Sequence, residues 1–327
     1  MATTVAPLLE LDKLSAHYVT ARGTRVVRAV DEVSLSLRPG ETLGVVGESG
    51  SGKTTLALTI LRLLPPAARI VSGAMRFEGE DLLAKSPTEM RKIRGKRIAM
   101  ILQDPMASLN PLFTVGDQVA EPVRVHEHAS RRSAVERAYS LLKAVKIPAA
   151  NQRLREYPHQ MSGGMRQRIV GAIAISCEPK LLIADEPTTS LDVTIQAQYL
   201  KLLRELQKEH NLAMIFITHN LGIVARMCDS VAVMYAGRVI ESGPVRRIFN
   251  APAHPYTQAL IESIPRLGGG PARLTAIDGQ PPDLATLPRG CSFQARCPRV
   301  VDRCREEEPP AFDIDPDHTA RCWVARS

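Results

Sequence analysis

The chain is expected to fold as an α/β protein: a mainly parallel sheet covered by helices, entered through antiparallel strands and interrupted by a helical insert. A small cysteine-bearing extension follows. Three observations predict this. Short apolar runs (Leu43-Gly44-Val45-Val46, Leu181-Leu182-Ile183-Ala184, Met214 to Ile217, Val231-Ala232-Val233-Met234) alternate with helical segments, the pattern of parallel strands buried on both faces. The first run leads straight into Gly47-Glu48-Ser49-Gly50-Ser51-Gly52-Lys53-Thr54-Thr55 and then into the helix-like Leu56 to Leu61. From Thr114 to about Ile147 the spacing is helical, with Val115, Val119 and Val123, then Val135, Ala138, Leu141, Leu142 and Val145.

Taken in order, Leu9-Glu10-Leu11 and Val33 to Leu37 alternate and precede the turn Arg38-Pro39-Gly40, so antiparallel strands lead into the glycine-rich segment. That segment is a phosphate-binding loop in strand–loop–helix context. Its glycines let successive N–H groups curl inward, and a helix beginning near Lys53 adds the positive end of its dipole. Lys53 is expected to reach the β- and γ-phosphates, and Thr54 to place its hydroxyl on Mg²⁺. A basic helix, Thr88 to Arg94, is followed by a buried strand, Arg97 to Leu102, that ends at Gln103-Asp104-Pro105.

The helical insert runs from Asp104 to about Ser176. Within it Met161-Ser162-Gly163-Gly164-Met165-Arg166-Gln167 opens the apolar helix Ile169 to Ile175. A serine with two glycines at a helix start is a second anion site, since free N–H groups and a hydroxyl converge there. The strand Leu181 to Ala184 ends in Asp185-Glu186. Asp185 can hold Mg²⁺ directly or through water, and Glu186 is the candidate base that polarises the attacking water. A helix from Gln196 to Glu209 separates this strand from Met214 to Ile217. Residues 1–263 are read as one nucleotide-binding domain with a helical subdomain at about 104–176. The Pro- and Gly-rich residues 264–290 read as a linker, and residues 291–327 as the extension.

Composition narrows the function classes. With 327 residues and 44% hydrophobic content the chain can bury a large core. No apolar run approaches the roughly 20 residues that cross a bilayer. The start shows no cationic segment with an apolar run, so a cytoplasmic location is expected. The net charge is +8 and aromatics are 4%, which leaves few stacking platforms for bases. The basic groups Arg91-Lys92, Arg94, Lys96-Arg97 and Arg296, Arg299, Arg303, Arg305 read as solvated faces, and no nucleic-acid partner is expected.

Four of the six cysteines, Cys291, Cys297, Cys304 and Cys322, fall in the extension. In a reducing cytosol four thiolates can hold a metal centre that closes a segment too small for its own core. Cys297-Pro298 favours an iron–sulfur cluster, with free or scattered thiols and then zinc as the other readings. Cys177 and Cys228 sit in apolar surroundings and read as core residues.

These motifs, in this order along the chain, resemble the ATP-binding subunits of ABC transporters. The resemblance implies a P-loop NTPase core of the ABC ATPase kind, binding ATP and Mg²⁺. Ser162-Gly163-Gly164 stands at the family's signature, with Met161 and Met165 in place of the commoner Leu and Gln. Gln103 matches the Q-loop, which touches Mg²⁺ and the attacking water. Ser190-Leu191-Asp192 matches the D-loop, and His219 the switch histidine, followed by Asn220 where Asp is commoner. Tyr18, or His17 beside it, matches the adenine-stacking aromatic. The resemblance further implies two domains closing head to tail, each ATP lying between one phosphate loop and the other chain's signature, with Ser162, Gly163, Gly164, Met165 and Gln167 as the contacts in trans. A second ATPase chain, identical or homologous, is therefore required.

Gln103 to Pro111, Tyr157-Pro158-His159-Gln160, Asp192 to Gln198 and His254 to Leu260 are similar to the dipeptide, oligopeptide and nickel importer branch. So is the cysteine extension, whose candidate group, read from its own residues, is a [4Fe-4S] cluster or, less favoured, Zn²⁺. The branch implies two transmembrane permease subunits, an extracytoplasmic solute-binding protein and a peripheral position at the inner face of the cell membrane. A soluble ABC ATPase acting on nucleic acid and a non-catalytic regulatory subunit are the competing readings.

Overall fold

The structure, a computed structural model, describes residues 6–19, 23, 25–189, 191–264 and 277–325. The chain divides into two compact units, one of Met1–Leu37, Thr42–Leu83 and Ile217–Ser327, the other of Arg38–Glu41 and Ala84–Phe216.

In the first unit β1 (Leu9–Val19), β2 (Val26–Leu37), β4 (Ala68–Phe77) and β5 (Glu80–Asp81) form an antiparallel sheet in the order β2-β1-β4-β5. Leu9 pairs with Leu37 on one side and with Phe77 on the other, and all three are fully buried. Between β2 and β4 come β3 (Thr42–Val46), buried along its whole length, and α1 (Lys53–Ile60).

The second unit begins with α2 (Pro87–Ile93), whose Ser86 and Glu89 form a capping box, and β6 (Ile98–Ile101). Five helices follow: α3 (Pro105–Ser108), α4 (Val115–Glu127), α5 (Arg131–Ala144), α6 (Ala150–Arg153) and α7 (Gly163–Ile175). Thr114 and Ser130 cap α4 and α5 by accepting from Asp117 N and Ser133 N, and Val115, Val119 and Val123 line the buried stripe of α4 as their spacing predicts. The unit continues with β7 (Leu181–Asp185), α8 (Val193–His210) and β8 (Ala213–Ile217). Helix α8 buries Tyr199, Leu202, Leu203 and Leu206, one face of a 3.6-residue repeat.

The chain then returns to the first unit with α9 (Leu221–Met227), β9 (Ser230–Tyr235), β10 (Arg238–Pro244), α10 (Val245–Asn250), α11 (Pro255–Glu262), α12 (Asp302–Glu306), β11 (Phe312–Asp315) and β12 (His318–Ala320). Strand β9 runs parallel to β3, and β10 and β12 continue antiparallel from it. Gly44 in β3 lets α9 approach, since a Cβ there would lie 2.9 Å from Val224.

The C-terminal third differs from the expectation of a linker and a separate small segment. Residues 265–276 lie outside the described residues. In the stretch that follows, Ile277, Leu284 and Leu287 pack on the core cluster formed by Val46, Val233, Tyr235, Tyr256 and Phe293. The extension thus lends Phe293, 2% exposed, to the unit's own core and adds β11 and β12 to its sheet edge. Burial of apolar side chains against an existing core is what a segment of this length cannot achieve alone.

A buried polar cluster fastens this addition. Glu241 on β10, 1% exposed, accepts from Ala253 N (2.7 Å), His254 N (2.9 Å) and His318 Nε2 (2.8 Å). His254 caps α11 by accepting from Tyr256 N through Nδ1 (3.0 Å). Burial holds the His254 pKa down to about 3, below the usual 6.5. The unfolded chain therefore takes up this proton first as pH falls, so the stabilisation is complete above 6.5 and is lost toward 3. His254→Asn, which keeps a capping acceptor but does not titrate, should lose stability less steeply across that window, by roughly 1 kcal/mol per pH unit. Denaturant midpoints measured through the window check this, and equal slopes would remove His254 from the role.

Candidate nucleotide-binding and hydrolysis site

In the first unit the loop after β3 has the predicted shape. Gly47, Gly50 and Gly52 have φ of 152°, 78° and 102°. The crowding is tightest at Gly52, where a Cβ would stand 2.0 Å from the Ala29 carbonyl oxygen. Lys53 opens α1, with its Nζ donating to the carbonyls of Gly47 and Glu48, both at 2.8 Å, and to Ser51 Oγ at 3.4 Å. Ser49, Gly50 and Thr54 are exposed, and Thr55 is half-buried. The Thr55 hydroxyl lies 3.4 Å from the Tyr18 hydroxyl, whereas His17 turns to Asp31 at 3.8 Å. Of the two candidate aromatics, Tyr18 is the one beside the loop. His219 follows β8 and is exposed.

Glu48 departs from the expectation of a phosphate contact. Its N–H donates to the Tyr256 hydroxyl (2.9 Å), and its carboxylate accepts from both terminal nitrogens of Arg296, at 2.7 and 2.9 Å. Both groups are committed to the loop's own shape. Arg296 in turn departs from the solvated face assigned to it, because its side chain is only 4% exposed. The two residues are separated by 248 positions, and no sequence pattern links them.

In the second unit the parallel pairing of β6 with β7, Ile101 opposite Ala184, brings two sequence-predicted residues to one strand edge. Gln103 follows β6 and Glu186 follows β7. Gln103 Nε2 donates to Glu186 Oε2 at 3.2 Å, and Thr189 Oγ1, unremarked in the sequence, donates to the same oxygen at 2.9 Å. Asp185, the last residue of β7, is 2% exposed. Glu186 has φ of 45°, the left-handed region that a non-glycine residue visits at a cost.

Ser162 caps α7 by accepting from Met165 N at 3.3 Å, and Gly163, Gly164 and Met165 are half-buried at the helix start. Gly164 packs so closely on α8 that a Cβ would meet Ile195 at 2.7 Å. Gln167 does not share this exposed helix end: it is 1% exposed and lies beside the Tyr199 hydroxyl. Its position one turn further along α7 carries it to the packed face. Asp192 caps α8, accepting from Thr194 N (3.1 Å) and Ile195 N (3.0 Å), and Leu191 N donates to Thr188 O. Ser190 lies outside the described residues.

The cysteines of the extension share one neighbourhood. Burial first, then the other thiols, push Cys291 up to about 12 and raise Cys322 and Cys297. Among the described residues no group of three or more His, Cys, Asp or Glu side chains is set to hold a metal ion. Among them too, no helix is long and apolar enough to cross a membrane.

The loop geometry makes a stability prediction. Gly52→Ala puts a methyl group against the Ala29 carbonyl in a left-handed conformation and should cost about 2 kcal/mol or more. Equilibrium denaturation of the full chain reads this directly, and an unchanged midpoint would contradict the crowding.

Comparison with known proteins supplies the family. Residues 30–189 match the ABC transporter family, and residues 240–304 the C-terminal region of oligopeptide/dipeptide transporters. The chain is 50% identical to a probable peptide ABC transporter ATP-binding protein of Sinorhizobium fredii, over 97% of this chain and 94% of that one. It is 49% identical, over the same shares, to the dipeptide transport ATP-binding protein DppD of Bacillus subtilis. A dimeric ATP-binding cassette solved with ADP and phosphate superposes with a TM-score of 0.65 at 25% identity, over 73% of this chain and 99% of that one. The chain belongs to the ATP-binding subunits of ABC transporters, a family of ATPases.

Proposed function

We propose that this chain is the ATP-hydrolysing subunit of an importer for dipeptides, oligopeptides or a related small solute. The observation that carries the hydrolytic part is the meeting of Gln103 and Glu186 at the ends of two paired parallel strands. The solute class rests on relatives named for peptide and dipeptide transport that match almost the whole chain.

The loop of residues 47–55, shaped by Glu48 rather than contacting through it, wraps the phosphates of ATP, with Lys53 on the β- and γ-phosphates and Tyr18 against the adenine. Thr54, Asp185 and Gln103 are hard oxygen donors of the kind Mg²⁺ takes, and the ion would neutralise phosphate charge. Glu186 accepts the proton of the attacking water, held in place by Gln103 and Thr189. His219 steadies the γ-phosphate. Ser162, Gly163, Gly164 and Met165 serve the ATP of a second ATPase chain, identical or homologous, and Leu191 and Asp192 face that partner. Two permease subunits anchor the pair at the inner face of the cell membrane, and an external solute-binding protein delivers the cargo.

Proteoliposomes holding the permeases, both ATPase subunits and the binding protein test this. ATP-dependent peptide uptake is expected, and Glu186→Gln should keep ATP binding while turnover falls about a hundredfold or more. Hydrolysis at the wild-type rate in that variant would take the base role away from Glu186.

For the extension we propose an iron–sulfur centre on Cys291, Cys297, Cys304 and Cys322, with zinc as the alternative. Four soft sulfur donors within electrostatic reach of one another support it. Such a centre would clamp the segment against the core. Anaerobically purified complex should carry iron and acid-labile sulfide with visible absorption, lost in Cys297→Ser. Zinc without sulfide would replace the cluster, and four titratable thiols with no metal would refute both.

A further inference from the structure

We propose that Arg296 is a positioning residue for Mg-ATP binding, the group through which the cysteine-bearing extension holds the phosphate loop in shape. The inference rests on the reading of residues 47–55 as the nucleotide loop. A guanidinium has five N–H donors in a rigid plane, and here all five find acceptors. Nε donates to Asp278 O (2.9 Å). One terminal nitrogen donates to Glu48 Oε2 (2.7 Å) and the Tyr235 hydroxyl (3.3 Å), the other to Glu48 Oε1 (2.9 Å) and Ile277 O (3.2 Å). The pair with Glu48 is bidentate, with the Arg296 side chain 4% and the Glu48 side chain 26% exposed, so water screens it less than it does a surface ion pair.

The consequence reaches Lys53. Glu48 is held at three points: its N–H by Tyr256, its carboxylate by Arg296, and its carbonyl by the Lys53 ammonium at 2.8 Å. Orienting the Glu48 side chain orients the peptide that Lys53 rests on. The other end of the link is equally fixed. Arg296 closes a short helical turn, Gln294–Arg296, bracketed by Cys291 and Cys297. Cys291 N donates to Cys304 O (2.7 Å), and Arg296 N donates to Phe293 O (3.0 Å), with Phe293 buried in the core. The extension therefore reaches the loop through one planar group on a rigid turn. Loss of that group should loosen the loop without touching the atoms that react.

The test measures Mg-ATP dissociation constants, KM and kcat on the full chain in its membrane complex. Arg296→Gln is expected to raise both Kd and KM about tenfold, in the range of coupling between linked sites, while kcat at saturating ATP stays within about twofold. Arg296→Lys should recover only part, because an ammonium lacks the fork. Glu48→Gln should weaken binding similarly, and the double variant should be no weaker than the worse single one. Wild-type Kd in Arg296→Gln, or losses that multiply in the double variant, would overturn the proposal. If Arg296→Gln does not fold, Glu48→Gln carries the test, and wild-type affinity there has the same force. Lys53→Ala separates the premises: ATP binding at full affinity in that variant refutes the nucleotide-loop reading itself. Loss there beside an unchanged Arg296→Gln refutes this inference alone.

Discussion

Burial of whole strands is the constraint from which the chemistry of this chain follows. Strands β3 and β7 are buried at every residue, and β8 likewise. Unpaired polar groups cannot lie along such strands without a desolvation cost of about 1–3 kcal/mol or more each. Polar function is therefore displaced to the strand ends. The glycine loop follows β3, Gln103 follows β6, Asp185 ends β7 with Glu186 just after it, and His219 follows β8. Each of these residues is placed by the apolar run before it, and parallel pairing decides which of them become neighbours, as with Gln103 and Glu186.

This constraint also explains which parts were readable in advance. The strand–loop–helix around Lys53, the serine cap of α7 and the acidic end of β7 are local patterns, each legible within about ten residues. Gln167 shows what a motif read as a string leaves out, which is helical phase. Three residues past Gly164 the chain has turned the side chain into the packed face beside Tyr199. Asp192 shows a related ambiguity, since its carboxylate serves as a helix cap whatever else it does.

The extension was the least legible region. Strands β11 and β12 have four and three residues and acquire their conformation from pairing with β10 rather than from their own pattern. Arg296 looked like one member of an exposed basic group because neither its burial nor its distant partner leaves a local trace. In the fold it is the extension's contact with the nucleotide loop, and it accounts for the side chain of Glu48, which no phosphate chemistry requires. The extension is thus part of the first unit's core and sheet, not an appendage to it.

The claim on which the whole account rests is that ATP is held at residues 47–55. Photolabelling the reconstituted complex with an azido-ATP, followed by peptide mapping, measures this directly. The account predicts label on the peptide carrying Gly47 to Thr55, displaced by excess Mg-ATP. Saturable label confined to other segments of the chain, with that peptide unmodified, would contradict it.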